Sequence, residues 1–158
     1  MTRILDDRLI GQSITLKNIP STSGGSFDLA EYAGKSVVLF FYPKDMTSGC
    51  TQEAKDFRDL SEAFQSLNAW VFGISKDSLN SHQKFIESQQ LNYPLLSDEG
   101  GSICESLGVW KEKSMYGKRY FGIERSTFVI NPQGKVAAVW RKVGVPGHAQ
   151  EVLNFIKS

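Results

Sequence analysis

Val37-Val38-Leu39-Phe40-Phe41-Tyr42-Pro43-Lys44-Asp45-Met46-Thr47-Ser48-Gly49-Cys50-Thr51-Gln52-Glu53-Ala54 is the stretch from which the fold is read. It opens on a continuous apolar run, the pattern of a strand covered on both faces. Pro43 ends that strand, because it brings no N–H to a ladder. From residue 50 to residue 67, Ala54, Phe57, Leu60, Phe64 and Leu67 recur at three- and four-residue steps. That spacing predicts one amphipathic helix, with Asn68 as its stop.

Working outward, Trp70-Val71-Phe72-Gly73-Ile74 reads as a second buried strand. A helix around residues 81–89, a short strand at Pro94-Leu95-Leu96 and a short helix over 102–107 closed by Gly108 follow. Ser126-Thr127-Phe128-Val129-Ile130 and Lys135-Val136-Ala137-Ala138-Val139-Trp140 flank Asn131-Pro132-Gln133-Gly134, an antiparallel hairpin. A last helix over 148–156 sets Val152, Phe155 and Ile156 on one face. Towards the N-terminus, the Ser- and Gly-rich patch at 21–26 predicts a hairpin loop between Ile14-Thr15-Leu16 and the segment around Phe27 and Leu29. A strand–helix–strand unit followed by a hairpin and a closing helix is the thioredoxin-like α/β arrangement, with a mixed central sheet flanked by helices. The expectation is a single domain over residues 1–158.

Composition narrows the function classes. Hydrophobic residues make up 41% and charged residues 22%, with a net charge of +1 and no concentration of Lys and Arg. That pattern points away from nucleic acid or a membrane surface as the main partner. No run approaches the ~20 apolar residues of a membrane span. The opening Met1-Thr2-Arg3-Ile4-Leu5-Asp6-Asp7 turns acidic too early for a secretory signal. Two widely spaced cysteines, Cys50 and Cys104, form neither a disulfide framework nor a C-x-x-C pair. The cytoplasm is therefore the expected compartment. There a cysteine is either core filler or a reagent, and neither a metal nor a cofactor is expected.

Cys50 stands where a buried strand hands over to the start of a helix. Unpaired N–H groups and the positive end of the helix dipole converge there, and both favour a thiolate. A helix end supplies about 0.3–1 kcal/mol when exposed and up to ~2 when partly buried, so a nearby cation is also needed. The residues alone leave open a buried, inert core cysteine.

The segment from Phe41 to Ala54 resembles the active-site segment of the peroxiredoxins, closest to the bacterioferritin comigratory protein or peroxiredoxin Q branch. The shared pattern Pro-x-x-x-Thr-x-x-Cys is matched by Pro43, Thr47 and Cys50. Gly122-Ile123-Glu124-Arg125-Ser126-Thr127-Phe128-Val129-Ile130 resembles the family's arginine strand. Gly147-His148-Ala149 with Glu151-Val152-Leu153 resembles its closing helix. The resemblance implies a peroxidase whose Cys50 thiolate attacks hydrogen peroxide or an organic hydroperoxide. It further implies that Thr47 hydrogen-bonds thiolate and peroxide, that Pro43 shields the sulfur, and that Arg125 is the required cation. On the residues alone, Thr47 also fits a helix N-cap, Pro43 a strand end and Arg125 a structural ion pair. Glu53 carries over as an organiser of the arginine, with a solvated first-turn acid as the other reading. Thioredoxin, glutaredoxin or a low-molecular-weight thiol would be the reductant of a monomer or weak dimer.

The chain departs from the branch in its second cysteine. Many members carry a resolving cysteine five positions after the first, where Lys55 stands here; others carry it on the helix that here holds Phe85 and Ile86. Cys104, three residues before Leu107, reads as an inert core residue rather than a resolving thiol. A one-cysteine cycle resolved by an external thiol is expected. His82 and His148 lack metal-ligand spacing and are read as surface or capping residues. The stretch around Met115-Tyr116-Gly117 reads as a loop or hairpin bordering the site or an interface. The competing functions are a non-catalytic thiol redox sensor and a cysteine hydrolase, the latter lacking an evident general base.

Overall fold

A computed structural model describes residues 3–158; Met1 and Thr2, part of the opening segment read against a leader, lie outside the described residues. The apolar run becomes β3 (Ser36–Phe41), following a small hairpin of β1 (Ile19–Pro20) and β2 (Ser26–Phe27). α1 (Ser48–Asp59), α2 (Ser61–Ser66), β4 (Ala69–Ser75), α3 (Leu79–Gln89), β5 (Leu95–Ser97) and α4 (Ser102–Ser106) come next. β6 (Trp110–Met115) and β7 (Lys118–Ile123) form a separate ribbon. β8 (Ser126–Ile130), β9 (Val136–Trp140) and α5 (His148–Lys157) complete the chain.

The central sheet has the order β5-β4-β3-β8-β9. β3 pairs in parallel with β4 and antiparallel with β8, so the sheet is mixed, as the pattern predicted. Successive side chains of β3 point to opposite faces. Val38, Phe40 and Tyr42 pack in one cluster with Cys50, Ala54 and Phe57 of α1, Phe64 of α2, Phe85 of α3 and Val152 of α5. Val37, Leu39 and Phe41 pack in a second cluster with Phe27, Leu29 and Cys104 of α4.

Two elements depart from the sequence reading by more than a residue or two at their ends. The helix predicted over 50–67 breaks at Leu60, whose φ of −101° and ψ of 5° leave the helical region. The Leu60 N–H bonds back to Phe57 O at 3.2 Å, a tight turn that keeps the apolar stripe continuous and so hides the break from periodicity. The N-terminal hairpin forms at β1 and β2, not from Ile14-Thr15-Leu16. Asn18, with φ of 55°, ends that run, although Leu16 is buried and its carbonyl accepts from Leu29 N. Asn68 does stop the preceding helix, in the left-handed region at φ 56°. Tyr116 and Gly117, both at positive φ, make the two-residue turn of the β6–β7 hairpin.

Candidate active site

Strand β3 and the parallel β4 end on the same side of the sheet, and the chain leaving β3 passes through residues 43–47 into α1. Thr47 is the extended N-cap of α1, with φ −82° and ψ 156°. The first helical bond runs from Thr51 N to Thr47 O at 2.8 Å, so the N–H groups just before it, that of Cys50 included, have no helical partner. Cys50 is 2% exposed, against Phe40 and Ala54 in the first cluster.

The chain between β7 and β8 delivers Arg125 to that helix start. Its Nη2 lies 3.5 Å from Cys50 Sγ, and its Nη1 donates to Glu53 Oε1 at 2.7 Å. Arg125 thus sets its guanidinium between the Cys50 sulfur and the Glu53 carboxyl. Burial works against the charge on Arg125, but Glu53 and Cys50 outweigh it and raise its pKa.

Glu53 is not a solvated acid: it is 1% exposed and belongs to the buried face of α1. Burial lifts its pKa to about 7 against the pull of Arg125, so near neutrality it only partly cancels the guanidinium. Its Oε2 has no hydrogen-bond partner among the described residues.

Thr47 departs from the expected contact. Its hydroxyl donates to the Lys44 carbonyl at 2.9 Å rather than to the sulfur, and it makes no side-chain cap bond. Pro43 and Arg125 line a cleft of ≈ 570 Å³ whose other walls include Lys113, Tyr120 and Val143. Strands of the β6–β7 hairpin form part of that cleft through Lys111, Ser114 and Tyr120, whereas Met115 and Tyr116 at the hairpin turn are exposed and are not among its walls. Lys113 Nζ donates to Ile123 O at 2.5 Å; its pKa is lowered by burial and by Arg125.

Cys104 is fully buried on the other face of the sheet, in the cluster that excludes Cys50. Burial, reinforced by Asp98, pushes its thiol well up.

Both histidines correct the sequence reading, for neither is a surface residue. His82 is 0% and His148 1% exposed. Their signal was spacing: His82 precedes the core residue Phe85 by three positions, and His148 precedes Val152 by four. His148 Nε2 meets Thr127 Oγ1 at 2.7 Å. Burial, then the charge of Arg125, lowers its pKa to about 4, so it is neutral in the folded chain. His82, Asp45 and Asp77 bring three ligand-type atoms together, the one such grouping among the described residues. They hold each other and their neighbours by hydrogen bonds: Asp45 Oδ2 to Ser81 Oγ and His82 Nδ1, and Asp77 Oδ2 to Ser75 Oγ and Asp45 N. The sequence reading missed this cluster, although Asp45 stands inside the segment that carries Cys50.

Residues 10–139 match the model of the AhpC/TSA family. The chain is 46% identical over 148 residues to the peroxiredoxin Bcp of Bacillus subtilis strain 168, covering 94% of each chain. Its fold is similar to a cysteine-to-serine variant of Xylella fastidiosa PrxQ, with TM-score 0.88, 40% identity and 94% of each chain covered. It is also similar to a Xanthomonas campestris bacterioferritin comigratory protein whose structure concerns alkyl peroxide reduction, with TM-score 0.84 and 42% identity over 91% of this chain and 90% of that one. Among the described residues, no helix is long and apolar enough to cross a membrane.

Proposed function

The chain belongs to the AhpC/TSA family, among the peroxiredoxins of the Bcp and PrxQ type, and from that premise we propose that it is a thiol-dependent peroxidase working through Cys50. The observation that carries this reading is the sulfur at a helix start, 3.5 Å from a guanidinium that lines an open cleft.

The Cys50 thiolate attacks one peroxide oxygen; an S–O bond forms as the O–O bond breaks. The products are Cys50 sulfenic acid and an alkoxide or hydroxide, which takes up a proton to leave as alcohol or water. Two equivalents of thiol then return the sulfenic acid to thiol, releasing water and a disulfide. Negative charge moves from sulfur to the leaving oxygen, and Arg125, with several donors in one plane, is suited to both ends of that path. Glu53 fixes the guanidinium by holding Nη1. With its own proton directed at Lys44 O, the Thr47 hydroxyl presents lone pairs that can accept the hydroperoxide O–H. Pro43, at the cleft wall, limits water at the sulfur.

We read the cycle as one-cysteine, with the sulfenic acid resolved by thioredoxin, glutaredoxin or a small thiol, in a single domain over residues 1–158. Peroxide consumption with these reductants in parallel tests both points. Cys50→Ser should lose all but about 1% of turnover, and Cys104→Ser should stay within about twofold of wild type. Comparable loss in both variants would replace this reading with a disulfide cycle. A wild type that stops after one equivalent whatever the reductant would be a sensor.

A further inference from the structure

The segment that presents Cys50 is held from behind by polar groups that the reaction above does not use. Asp45, 5% exposed, accepts at Oδ1 from the Tyr42 hydroxyl at 2.5 Å and at Oδ2 from the Ser81 hydroxyl at 2.8 Å. The same Oδ2 lies 2.7 Å from Nδ1 of the fully buried His82. Asp45 N donates to Asp77 Oδ2 at 2.9 Å. On the far side of the imidazole, Nε2 meets the Leu96 carbonyl oxygen at 2.8 Å.

These contacts fix the proton count. A carbonyl oxygen only accepts, so Nε2 carries a hydrogen. The 2.7 Å approach of Nδ1 to a carboxylate oxygen needs a second hydrogen between them. Ring and carboxyl group together therefore hold two protons and no net charge, which is the condition for burying them. Burial, then the charge of Asp45, pushes the Tyr42 pKa well above the ordinary phenol value, so Tyr42 remains a donor.

The location gives the pair its consequence. Asp45 stands midway between Pro43 and Thr47, and the next residue, Met46, sits in the left-handed region at φ 65°. A side chain other than glycine stays there at a cost of order 1–3 kcal/mol, and only when its surroundings dictate it. Asp45 ties this strained turn to the end of β3 through Tyr42, to the β4–α3 connection through Asp77, and to α3 through Ser81 and His82.

Resting on the peroxidase reading, we propose that Asp45 and His82 are positioning residues, a buried pair that clamps the 43–47 loop onto α3 so that Pro43 and Thr47 meet the peroxide in line with the sulfur. Neither residue touches the reacting atoms.

Two reactions of the same sulfur test the assignment. Oxidation by peroxide needs an aligned O–O bond, whereas alkylation by iodoacetamide needs only a reachable thiolate. In folded Asp45→Asn and His82→Gln proteins, the peroxide rate should fall about 10- to 100-fold while alkylation stays within about threefold. Tyr42→Phe keeps the ring and removes one hydrogen bond to Asp45; its peroxide rate should fall about three- to tenfold, and it decides the matter if the other two do not fold. Peroxide rates equal to wild type, or alkylation falling in step with oxidation, would overturn the proposal. A wild-type Cys50 that alkylates but ignores peroxide would instead refute the peroxidase reading itself.

Discussion

Arg125 joins two groups that pull on its charge in different ways, a sulfur at 3.5 Å and a buried carboxylate at 2.7 Å. Glu53, one of those two groups, and His148, which feels the charge of Arg125, give stability opposite dependences on pH. Glu53 has its pKa raised from 4.5 to about 7, so the folded chain keeps a proton that the unfolded chain has lost. Its contribution therefore makes stability fall as pH rises through that window. His148 is lowered from 6.5 to about 4, so the folded chain refuses a proton that the unfolded chain takes. Its contribution makes stability fall as pH drops through its window. Between pH 4.5 and 6.5 the two oppose each other, each with a slope approaching about 1.4 kcal/mol per pH unit. Urea unfolding across this range should show Glu53→Gln losing stability more steeply than wild type on acidification. His148→Gln should lose it more steeply on going basic. Parallel profiles for all three proteins would contradict these assignments. The residue types at this site were legible in the sequence, since Pro43, Thr47, Cys50 and Arg125 stand at recognisable positions. The burial of Glu53 and His148 was not, because an acid or an imidazole on a helix is usually solvated and only its spacing to core residues says otherwise.

At the scale of elements, the start of α1 and the chain entering β8 must approach closely for guanidinium and sulfur to meet. Gly49 makes room for this: a Cβ there would lie 3.3 Å from Arg125 Nη2. Its backbone is not left-handed, so alanine fits the first turn of α1 without backbone strain. Gly49→Ala should therefore unfold no more easily than wild type, yet oxidise Cys50 about three- to tenfold more slowly as the guanidinium is displaced. An unchanged rate, measured by stopped flow beside a thermal melt, would show that this contact sets nothing. Strand β3 and the β8–β9 hairpin could be read directly, because continuous apolar runs and an Asn-Pro-Gln-Gly turn are local signals. The break at Leu60 could not, since a stripe that continues across a tight turn has the same periodicity as an unbroken helix.

Across the whole molecule, the central sheet separates the two thiols. Cys50 packs with Val38 and Phe40 on one face, and Cys104 packs with Leu39 and Phe41 on the other. A disulfide needs Cα atoms within about 7 Å and converging Cβ vectors, so joining these two would require taking the core apart. The mixed-sheet architecture followed from strand and helix order alone, but the segregation of the cysteines did not. It depends on which face each helix covers, a consequence of crossover connections rather than of local pattern. The most direct test of the account is the fate of Cys50 after one equivalent of peroxide with no reductant, followed by intact mass and dimedone labelling. The account predicts the gain of one oxygen and a dimedone adduct on Cys50. Loss of two hydrogens with a linked Cys50–Cys104 peptide, or an unmodified Cys50, would contradict it.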